Sequence, residues 1–396
     1  MVAASALESP ARPPDPEQRS GSPAAVVFAF LDFGRGGAQR STLALARHLR
    51  RDRFAPSLLC VRGDGETISE AVAAGLEVKR LGRLRRSWDW RAAGRIATEL
   101  RRLDARILHV PLYSRASPYL RLAARRARVP LVVAHEWSRP EPPRLARRLV
   151  DRLLVRGTRF IAASNLEAAT LRAAGVAARD LAVVHAGIEI ERFTHGERLA
   201  TRAALGVEAG RTLVLVPARL HPAKGHLDLL DAIPAALERA PGLLWLLAGE
   251  GPERDRIEQE VRARGLGSAV RLLGWREDMA DLLAASDLVA LPSRVEGLPG
   301  AMLEAFAAGR AVVVTDVGGV AEALTDGSEG RLVPARSPAR LAGAMAELAL
   351  DPVLRRALGE RGRVAVERFD ARVTTRRFEE LYDRWGSELT PSGARR

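Results

Sequence analysis

The stretch AAVVFAFLDFGRGGAQRSTLALARHL, residues 24–49, combines a strand pattern, a glycine-rich loop and a helix pattern. Residues 24–33 form a short apolar run, which is typical of a buried parallel strand. Residues 41–49 place apolar side chains at helical spacing. A strand followed by a glycine loop and a helix begins a βαβ unit, so the stretch predicts a doubly wound α/β domain.

The alternation of strand and helix continues along the chain and then restarts. Further apolar runs in the first half are APSLLCV, RILHV, LVVAHE, RFIAAS and LAVVHAG. After a polar segment, a second series of strands follows with RTLVLVPARL, GLLWLLAGEG, VRLLGW, DLVALPS and RAVVVTD. Two such series predict two α/β domains, in which ligands bind beyond the carboxyl ends of the strands.

This pattern divides the chain into six predicted parts. They are a disordered tail over 1–23, a first domain over 24–190, a connection over 191–206, a second domain over 207–365, a C-terminal helix over 366–386 and a tail over 387–396. The helix over 366–386 is a candidate to pack back on the first domain. The first tail holds acids and prolines without an apolar core, so we do not interpret it as a signal peptide.

The charge of the chain is placed unevenly. The chain has 396 residues and a net charge of +14, and it uses 60 Arg but only 2 Lys. Residues 1–200 hold 35 basic against 20 acidic side chains, a net of +15, whereas residues 201–396 hold 27 against 28. We therefore expect the first domain to face an anionic partner, either an acidic glycan or an anionic membrane surface reached through Arg85, Arg86 and Trp88.

Composition also excludes several classes of protein. The single cysteine, Cys60, excludes a disulfide framework and a cysteine-built metal site, and it fits a cytoplasmic location. No apolar run approaches the ~18–20 residues that cross a bilayer, so membrane contact would be peripheral. Nucleic acid is not an expected partner, because aromatic residues make up only 5% of the chain and offer no stacking platform beside the arginines.

A second informative stretch, EGLPGAMLEAFAAG at residues 296–309, holds two carboxylates among small and apolar residues. Pro299 suits the first turn of a helix and Gly309 suits the position after its end, which predicts a buried helix between them. A buried carboxylate without donors costs several kcal/mol, so we expect Glu304 to have hydrogen-bond partners. With Glu296 before the helix and an anion-binding helix start between the two acids, the stretch predicts a ligand with hydroxyls and phosphates, namely a nucleotide sugar.

The pattern E-G-x-P-x₄-E with its following A-x-G resembles the paired-glutamate signature of retaining glycosyltransferases of the GT-B fold, family 4 type. Three further motifs stand in the same order as in that family: VVHAGIEIERF at 183–193, PARLHPAKG at 217–225 and LLAGEGPERDRIE at 246–258. The resemblance covers about residues 25–385. It implies two Rossmann-like domains that face each other across a cleft.

The resemblance also implies roles for residues of this chain. It assigns Arg219 and Lys224 to the donor diphosphate, Glu304 to the ribose hydroxyls, and Glu296 to the transferred sugar or its phosphate. The implied catalytic residues are Glu296, His135, Arg219 and Lys224. The implied donor-binding residues are Gly36, Gly37, Arg219, Lys224, Gly249, Gly251, Arg276, Glu296, Gly297, Leu298, Pro299, Gly300 and Glu304. The use of lysine at position 224 in a chain rich in arginine supports its assignment to the diphosphate independently, because it indicates a site that needs a point charge.

The first domain carries weaker signals. LVVAHE places His135 at a strand end, where the family has a histidine that faces the transferred sugar, whereas His109 in RILHV is as readily interpreted as a core histidine. Two positions depart from the family pattern. Gln39 stands where the family often has Glu, and Ala186 stands where it usually has an Asn-Gly turn.

The function implied by the resemblance is retaining transfer of a sugar from a nucleotide-diphosphate sugar to a glycan or lipid-linked acceptor in cell-envelope or polysaccharide synthesis. Positive groups would stabilise the charge on the departing phosphate, and the acceptor hydroxyl would attack from the same face. We expect no cofactor and no metal, since the chain lacks the Asp-x-Asp pattern of the other large glycosyltransferase fold. The expected location is the cytoplasm, with the inner face of the membrane as a candidate contact.

Two other reaction classes stay open at this stage. One keeps the fold and changes the reaction to that of a nucleotide-sugar epimerase or hydrolase. The other is a dinucleotide-binding oxidoreductase, prompted by G-x-G-G at 34–37. That stretch lacks the full G-x-G-x-x-G spacing, and Arg62 rather than an acid ends the second strand.

Overall fold

The structure is a computed structural model that describes residues 22–31, 33–34, 36–62, 65, 67–82, 90–111, 117–136 and 157–389. Most of the predicted first tail and the last seven residues of the chain lie outside the described residues. So does the predicted patch of Arg85, Arg86 and Trp88.

The first sheet contains seven parallel strands among the described residues, in the order β3-β2-β1-β4-β5-β6-β7. The strands are β1 (Ala24–Phe30), β2 (Phe54–Cys60), β3 (Glu77–Arg80), β4 (Ile107–Pro111), β5 (Leu131–Glu136), β6 (Arg159–Ala162) and β7 (Leu181–Val183). The helices described with it are α1 (Gly37–His48), α2 (Ile68–Ala73), α3 (Trp90–Arg102), α4 (Ser117–Ala127) and α5 (Asn165–Ala173).

The second sheet has six parallel strands in the order β10-β9-β8-β11-β12-β13. The strands are β8 (Thr212–Pro217), β9 (Leu243–Ala248), β10 (Val270–Gly274), β11 (Leu288–Leu291), β12 (Ala311–Thr315) and β13 (Gly330–Val333). The helices that follow in the chain are α6 (Glu191–Thr194), α7 (Arg198–Ala204), α8 (His226–Arg239), α9 (Arg254–Ala263), α10 (Met279–Ala285), α11 (Gly300–Ala307), α12 (Pro338–Leu350), α13 (Pro352–Ala365) and α14 (Ala371–Leu389).

The central strands of the second sheet are apolar without alternation because both of its faces are covered. Along β8, Val214 and Val216 pack in one apolar cluster with residues of α8 and α12, whereas Leu213 and Leu215 pack in another with residues of α10 and α11. Consecutive side chains of a strand point to opposite faces, so both sets must be apolar. The prediction of two doubly wound α/β domains is confirmed.

The strand order determines where the functional loops lie in each domain. In each sheet the order reverses beside its first strand, between β1 and β4 in one sheet and between β8 and β11 in the other. Such a reversal leaves a crevice beyond the carboxyl ends of the strands, where open α/β folds bind ligands. The glycine loop at 34–37 follows β1, and the loops that contain Lys224 and Glu296 follow β8 and β11.

The chain passes twice between the domains, and the two passages are hydrogen-bonded to each other. The Ile188 amide donates to the carbonyl of Phe369 over 3.0 Å, and the Ala371 amide donates to the carbonyl of Ile188 over 2.8 Å. Beside them, a Cβ on Gly187 would lie 2.0 Å from the hydroxyl oxygen of Thr374, so no larger residue fits there. The second passage leads directly into α14.

The predicted C-terminal helix begins and ends later in the chain than the sequence indicated. α14 ends at Leu389, three residues into the segment assigned to a tail. It packs on the first domain, where the buried Glu379 carboxylate accepts hydrogen bonds from the Arg50 backbone and side chain, both at 2.8 Å. The predicted connection over 191–206 forms α6 and α7, which pack against α10 of the second domain.

Candidate functional site

Lys224 and Glu296 form the centre of the site. Lys224 ends a short 3₁₀ turn after β8, and its Nζ lies 2.6 Å from Oε1 of Glu296, in the loop after β11. The hydroxyl of Ser293 donates to the same carboxylate oxygen over 2.6 Å. The Glu296 side chain is only 10% exposed, so the lysine ammonium supplies most of the compensation that this partly buried carboxylate needs.

Gly225 allows the lysine turn to approach the glutamate loop. Its φ is +66°, and a Cβ there would lie 1.9 Å from the carbonyl oxygen of Pro292. Beyond it, Arg294 donates through two nitrogens to the Asp228 carboxylate at 2.8 and 2.6 Å, which ties the glutamate loop to α8. The two loops are therefore held together by a close backbone contact and by an ion pair.

We expect Gly225→Ala to lower the free energy of unfolding by more than the cost of placing alanine in a left-handed backbone conformation. The left-handed region costs an L-residue about 1–2 kcal/mol, and the collision with Pro292 adds to that cost. Gly265→Ala is the matched control, because Gly265 has a φ of +67° and nothing within 4 Å of an added Cβ. Thermal unfolding of both variants measures the difference, and equal losses of stability would contradict the close-packing argument.

The helix after Glu296 begins and ends as the sequence predicts. α11 spans Gly300–Ala307, Pro299 stands immediately before it, and Gly309 follows it with a φ of +65°. The first N–H groups of a helix have no partner within the helix, and Glu296 stands four residues before the start of this one. Gly300 has open space where a side chain would begin.

Glu304 lies one turn further along α11. Its carboxylate accepts no hydrogen bond from any described residue, so the donors that we expect for it are not supplied by this part of the protein. The side chain instead borders a small cavity of about 50 Å³ between the domains, together with Gly37, Arg40 and Arg192. Burial raises the pKa of Glu304, while the positive charges of Arg40 and Arg192 oppose that shift. An acceptor without a donor, facing a cavity, is suited to a ligand hydroxyl.

A second and larger cavity of about 270 Å³ borders Glu296. Its other walls are the loop at Val317 and Gly318 and the side chains of Leu166 and Thr170 on α5 of the first domain. Glu296 and Glu304 therefore face two hollows on the two sides of the start of α11. Both hollows are bounded by both domains.

The glycine loop after β9 is structural support for the loop after β8. Added Cβ atoms on Gly249 and Gly251 would lie 2.1 Å and 2.2 Å from the carbonyl oxygens of Ala218 and Leu220. Both glycines thus serve close backbone packing beside Arg219. The Arg219 side chain is exposed and makes no hydrogen bond or ion pair with the described residues, which leaves its guanidinium available to a ligand.

Arg276 is already engaged by the protein. Its Nε donates to the Asp278 carboxylate over 2.8 Å, and this pairing raises the pKa of Arg276 and lowers that of Asp278. Next to it, the Arg40 guanidinium of α1 lies 5.4 Å from the centre of the Trp275 ring. This contact brings the start of α1 against the β10 loop of the other domain.

His135 borders a different small cavity, together with Ser41 and Gly187. It is 2% exposed at the end of β5, where its ring packs against Phe378 of α14. Its Nδ1 lies 3.3 Å from Nε2 of His109, whose Nδ1 lies 2.5 Å from the Tyr382 hydroxyl. Burial first, and then the charge of His109, hold the pKa of His135 well below its usual range, so the imidazole is neutral. Its role towards the sugar stays a prediction.

Several interdomain residues were not found from the sequence. Glu322, after β12, accepts hydrogen bonds from the Asn165 backbone and side chain at 2.8 and 2.7 Å and lies 2.8 Å from Nε2 of His185. Arg40 and Arg192 reach Glu304 from separate elements. No local pattern marks these positions, because each acts on a partner that is distant in the sequence.

The structure thus brings Gly37, Gly300 and Glu304 to one cavity and joins Lys224 to Glu296 beside it. A Cβ added to Gly36, immediately before α1, would lie 2.5 Å from Oε1 of Gln39 in that helix. Gly297 accepts a hydrogen bond from the Gly319 amide at 2.6 Å, which fixes the loop before α11. Among the described residues, no cluster of three or more His, Cys, Asp or Glu side chains could hold a metal ion.

Comparison with known families agrees with this geometry. The family described as Glycosyltransferase Family 4 matches residues 35–192, and the family described as Glycosyl transferases group 1 matches residues 197–365. The two matches together take in most of both domains. The chain belongs to the group 1 glycosyltransferases of the GT-B fold.

Individual relatives show how far the likeness extends. The D-inositol 3-phosphate glycosyltransferase of Saccharomonospora viridis is 33% identical over 244 residues, which cover 59% of this chain and 57% of the relative. The chain thus spans little more than half the length of this curated relative. The structure of HepE from Anabaena in complex with UDP-glucose superposes with a TM-score of 0.79 at 23% identity, over 91% of this chain and 99% of that one. A glycosyltransferase from Rickettsia africae gives a TM-score of 0.79 at 19% identity, over 92% and 99%.

Proposed function

We propose that the protein is a retaining glycosyltransferase that moves a sugar from a nucleotide-diphosphate sugar to an acceptor hydroxyl. One observation carries the proposal: the Lys224–Glu296 pair, 2.6 Å apart, at the start of a helix that also presents Glu304 to the interdomain cleft. A cation and a helix start suit a diphosphate, and the two carboxylates suit sugar hydroxyls.

In the proposed reaction the bond between the anomeric carbon and the phosphate oxygen breaks as the acceptor oxygen forms its bond on the same face. The proton of the acceptor hydroxyl passes to the departing phosphate oxygen, so no protein base is needed. Lys224, Arg219 and the N–H groups at the start of α11 stabilise the charge that grows on the leaving diphosphate. When the donor binds, the Lys224 ammonium turns from Glu296 to the phosphate. The Glu296 carboxylate then accepts a hydrogen bond from the transferred sugar.

For the donor we propose a uridine diphosphate sugar as the first to test, because the structurally similar HepE was solved with UDP-glucose. For the acceptor we propose a glycan or lipid-linked alcohol of the cell envelope, reached at the cytoplasmic side. The net charge of +15 in residues 1–200 supports an anionic acceptor or surface there. Among the described residues, no helix is long and apolar enough to cross a membrane.

A thermal-shift screen of UDP, GDP, ADP and their sugars identifies the donor. A ligand at a hundredfold excess over its Kd stabilises the native protein by about 2.7 kcal/mol. Stabilisation by none of these nucleotides would contradict the proposal.

With the donor known, we expect the product to keep the anomeric configuration of the donor. Proton NMR of the anomeric signals in donor and product measures this. Inversion would refute the retaining mechanism while leaving transfer intact. Rapid turnover of the donor with no acceptor present would instead favour a hydrolase or an epimerase.

A further inference from the structure

The second domain has another pocket at the opposite end of its sheet. Asp287 immediately precedes β11 and Arg310 immediately precedes β12, so these side chains lie at the amino ends of strands whose carboxyl ends face the cleft. The pocket encloses about 270 Å³, and its charged lining consists of Asp287, Arg198, Arg310, Arg355 and Arg356. We call it the arginine pocket. A strand of five residues separates it from the cleft by roughly 17 Å.

Part of the positive charge has a structural purpose. Arg198 donates to the Asp287 carboxylate over 2.6 Å and to the Ser286 carbonyl over 2.8 Å, at the end of α10. Arg310 donates to the Ala308 carbonyl at the end of α11, and Arg355 to the Leu348 carbonyl in the last turn of α12. Three helix ends therefore meet at the pocket, each equivalent to about half a negative charge.

These negative groups do not balance the arginines. Asp287 is shared between Arg198 and Arg202 and also accepts from the Leu213 amide at 2.8 Å. One more guanidinium group stands at the pocket, that of Arg356. Against the four arginines that line the pocket, Asp287 and the three helix ends leave about one to two positive charges uncompensated.

The arrangement carries an electrostatic cost without an anion. Burial, followed by the charge of Arg198, lowers the pKa of Arg310, and burial also lowers the pKa of Arg355. Arginine remains protonated in proteins, so the repulsion persists instead of being relieved by loss of a proton. Arg356 is exposed at the rim and makes no hydrogen bond or ion pair with the described residues.

We propose that the arginine pocket binds a phosphate group. Guanidinium forks match the oxygens of a phosphate, and the volume equals that of about nine water molecules, which is enough for a diphosphate. The phosphate group comes either from a free di- or monophosphate or from an anionic lipid headgroup. The site lies outside the cleft and does not depend on the proposed transfer reaction.

Titration calorimetry with inorganic pyrophosphate tests the proposal. We expect Arg356→Glu to weaken binding at least tenfold, because it adds a negative charge at the rim without breaking a protein contact. Arg340→Glu is the matched control. It makes the same charge change on an exposed side chain in the first turn of α12, about 13 Å along the helix from the end that faces the pocket, and should alter Kd less than twofold.

Two further measurements distinguish the arginine pocket from the cleft, and a free phosphate from a lipid headgroup. Lys224→Met removes the lysine of the cleft, and the Arg356-dependent binding should persist in it, whereas pyrophosphate binding that disappears with Lys224 belongs to the cleft. Sedimentation with phosphatidylglycerol vesicles, compared with phosphatidylcholine vesicles, asks whether the phosphate is a headgroup. Dependence on Arg356 in either the pyrophosphate or the vesicle arm supports the site. Equal effects of Arg356→Glu and Arg340→Glu in both arms overturn it.

Discussion

Lys224→Met is expected to lower kcat for sugar transfer by about 10²–10³-fold while the protein stays folded, because one preorganised donor to a developing oxyanion commonly contributes that much. The lysine is positioned for this role by Gly225 and by its 2.6 Å contact with Glu296. Methionine keeps the length of the side chain and removes the charge. Initial rates at saturating donor measure the effect, and unchanged rates would refute the assignment of Lys224 to the diphosphate.

The chain supplies its own control for that substitution. Its other lysine, Lys79, is a residue of β3 whose side chain is 40% exposed and lies 2.8 Å from Glu77. Lys79→Met makes the same chemical change on the surface and should leave kcat within twofold. We also expect Glu296→Gln to add little to the loss in Lys224→Met, because the two side chains act as one unit and such losses are not additive.

The sequence was sufficient where a local pattern determines the structure. Continuous apolar runs identified β8 and β9 because parallel strands are buried on both faces. Pro299 and Gly309 marked the limits of α11 because each has a backbone preference that suits a helix end. The loops of Lys224 and Glu296 could be placed together since both follow strands at the reversal of the strand order.

The rest depends on contacts between distant segments. The sequence places His135 at a strand end, but Phe378 and Tyr382, which enclose the histidine pair, lie more than 240 residues later on α14. No periodicity predicts that packing. Similarly, the sequence indicated that Glu304 needs hydrogen-bond donors but not the cavity that it borders with Arg40 and Arg192. The positive charges of Arg40 and Arg192 only partly offset the burial of this carboxylate.

Glu304→Gln is expected to make the protein more stable at neutral pH and to weaken donor binding by about 10–100-fold. Hydrogen bonds to a charged acceptor contribute about 1.5–3 kcal/mol, and glutamine removes the charge from the proposed ribose contact. Burial raises the pKa of Glu304 in the folded protein, so its neutral form is favoured by folding. The stability associated with that form is present below the unfolded pKa and is lost as pH rises through the folded pKa. At neutral pH the carboxylate therefore destabilises the fold, and glutamine relieves this.

Thermal unfolding and donor titration of the same variant measure both effects. For the wild-type protein, donor affinity should fall on acidification at a higher pH than an ordinary glutamate would give, and this acid limb should be absent in Glu304→Gln. Glu380→Gln, on the exposed face of α14, is the control and should change neither quantity. A variant that binds donor as tightly as the wild type would remove Glu304 from the donor site. If Glu304→Gln is less stable than the wild type at neutral pH, the carboxylate is compensated within the fold. If the variant is more stable but binds donor more weakly, Glu304 favours ligand binding and destabilises the protein without ligand.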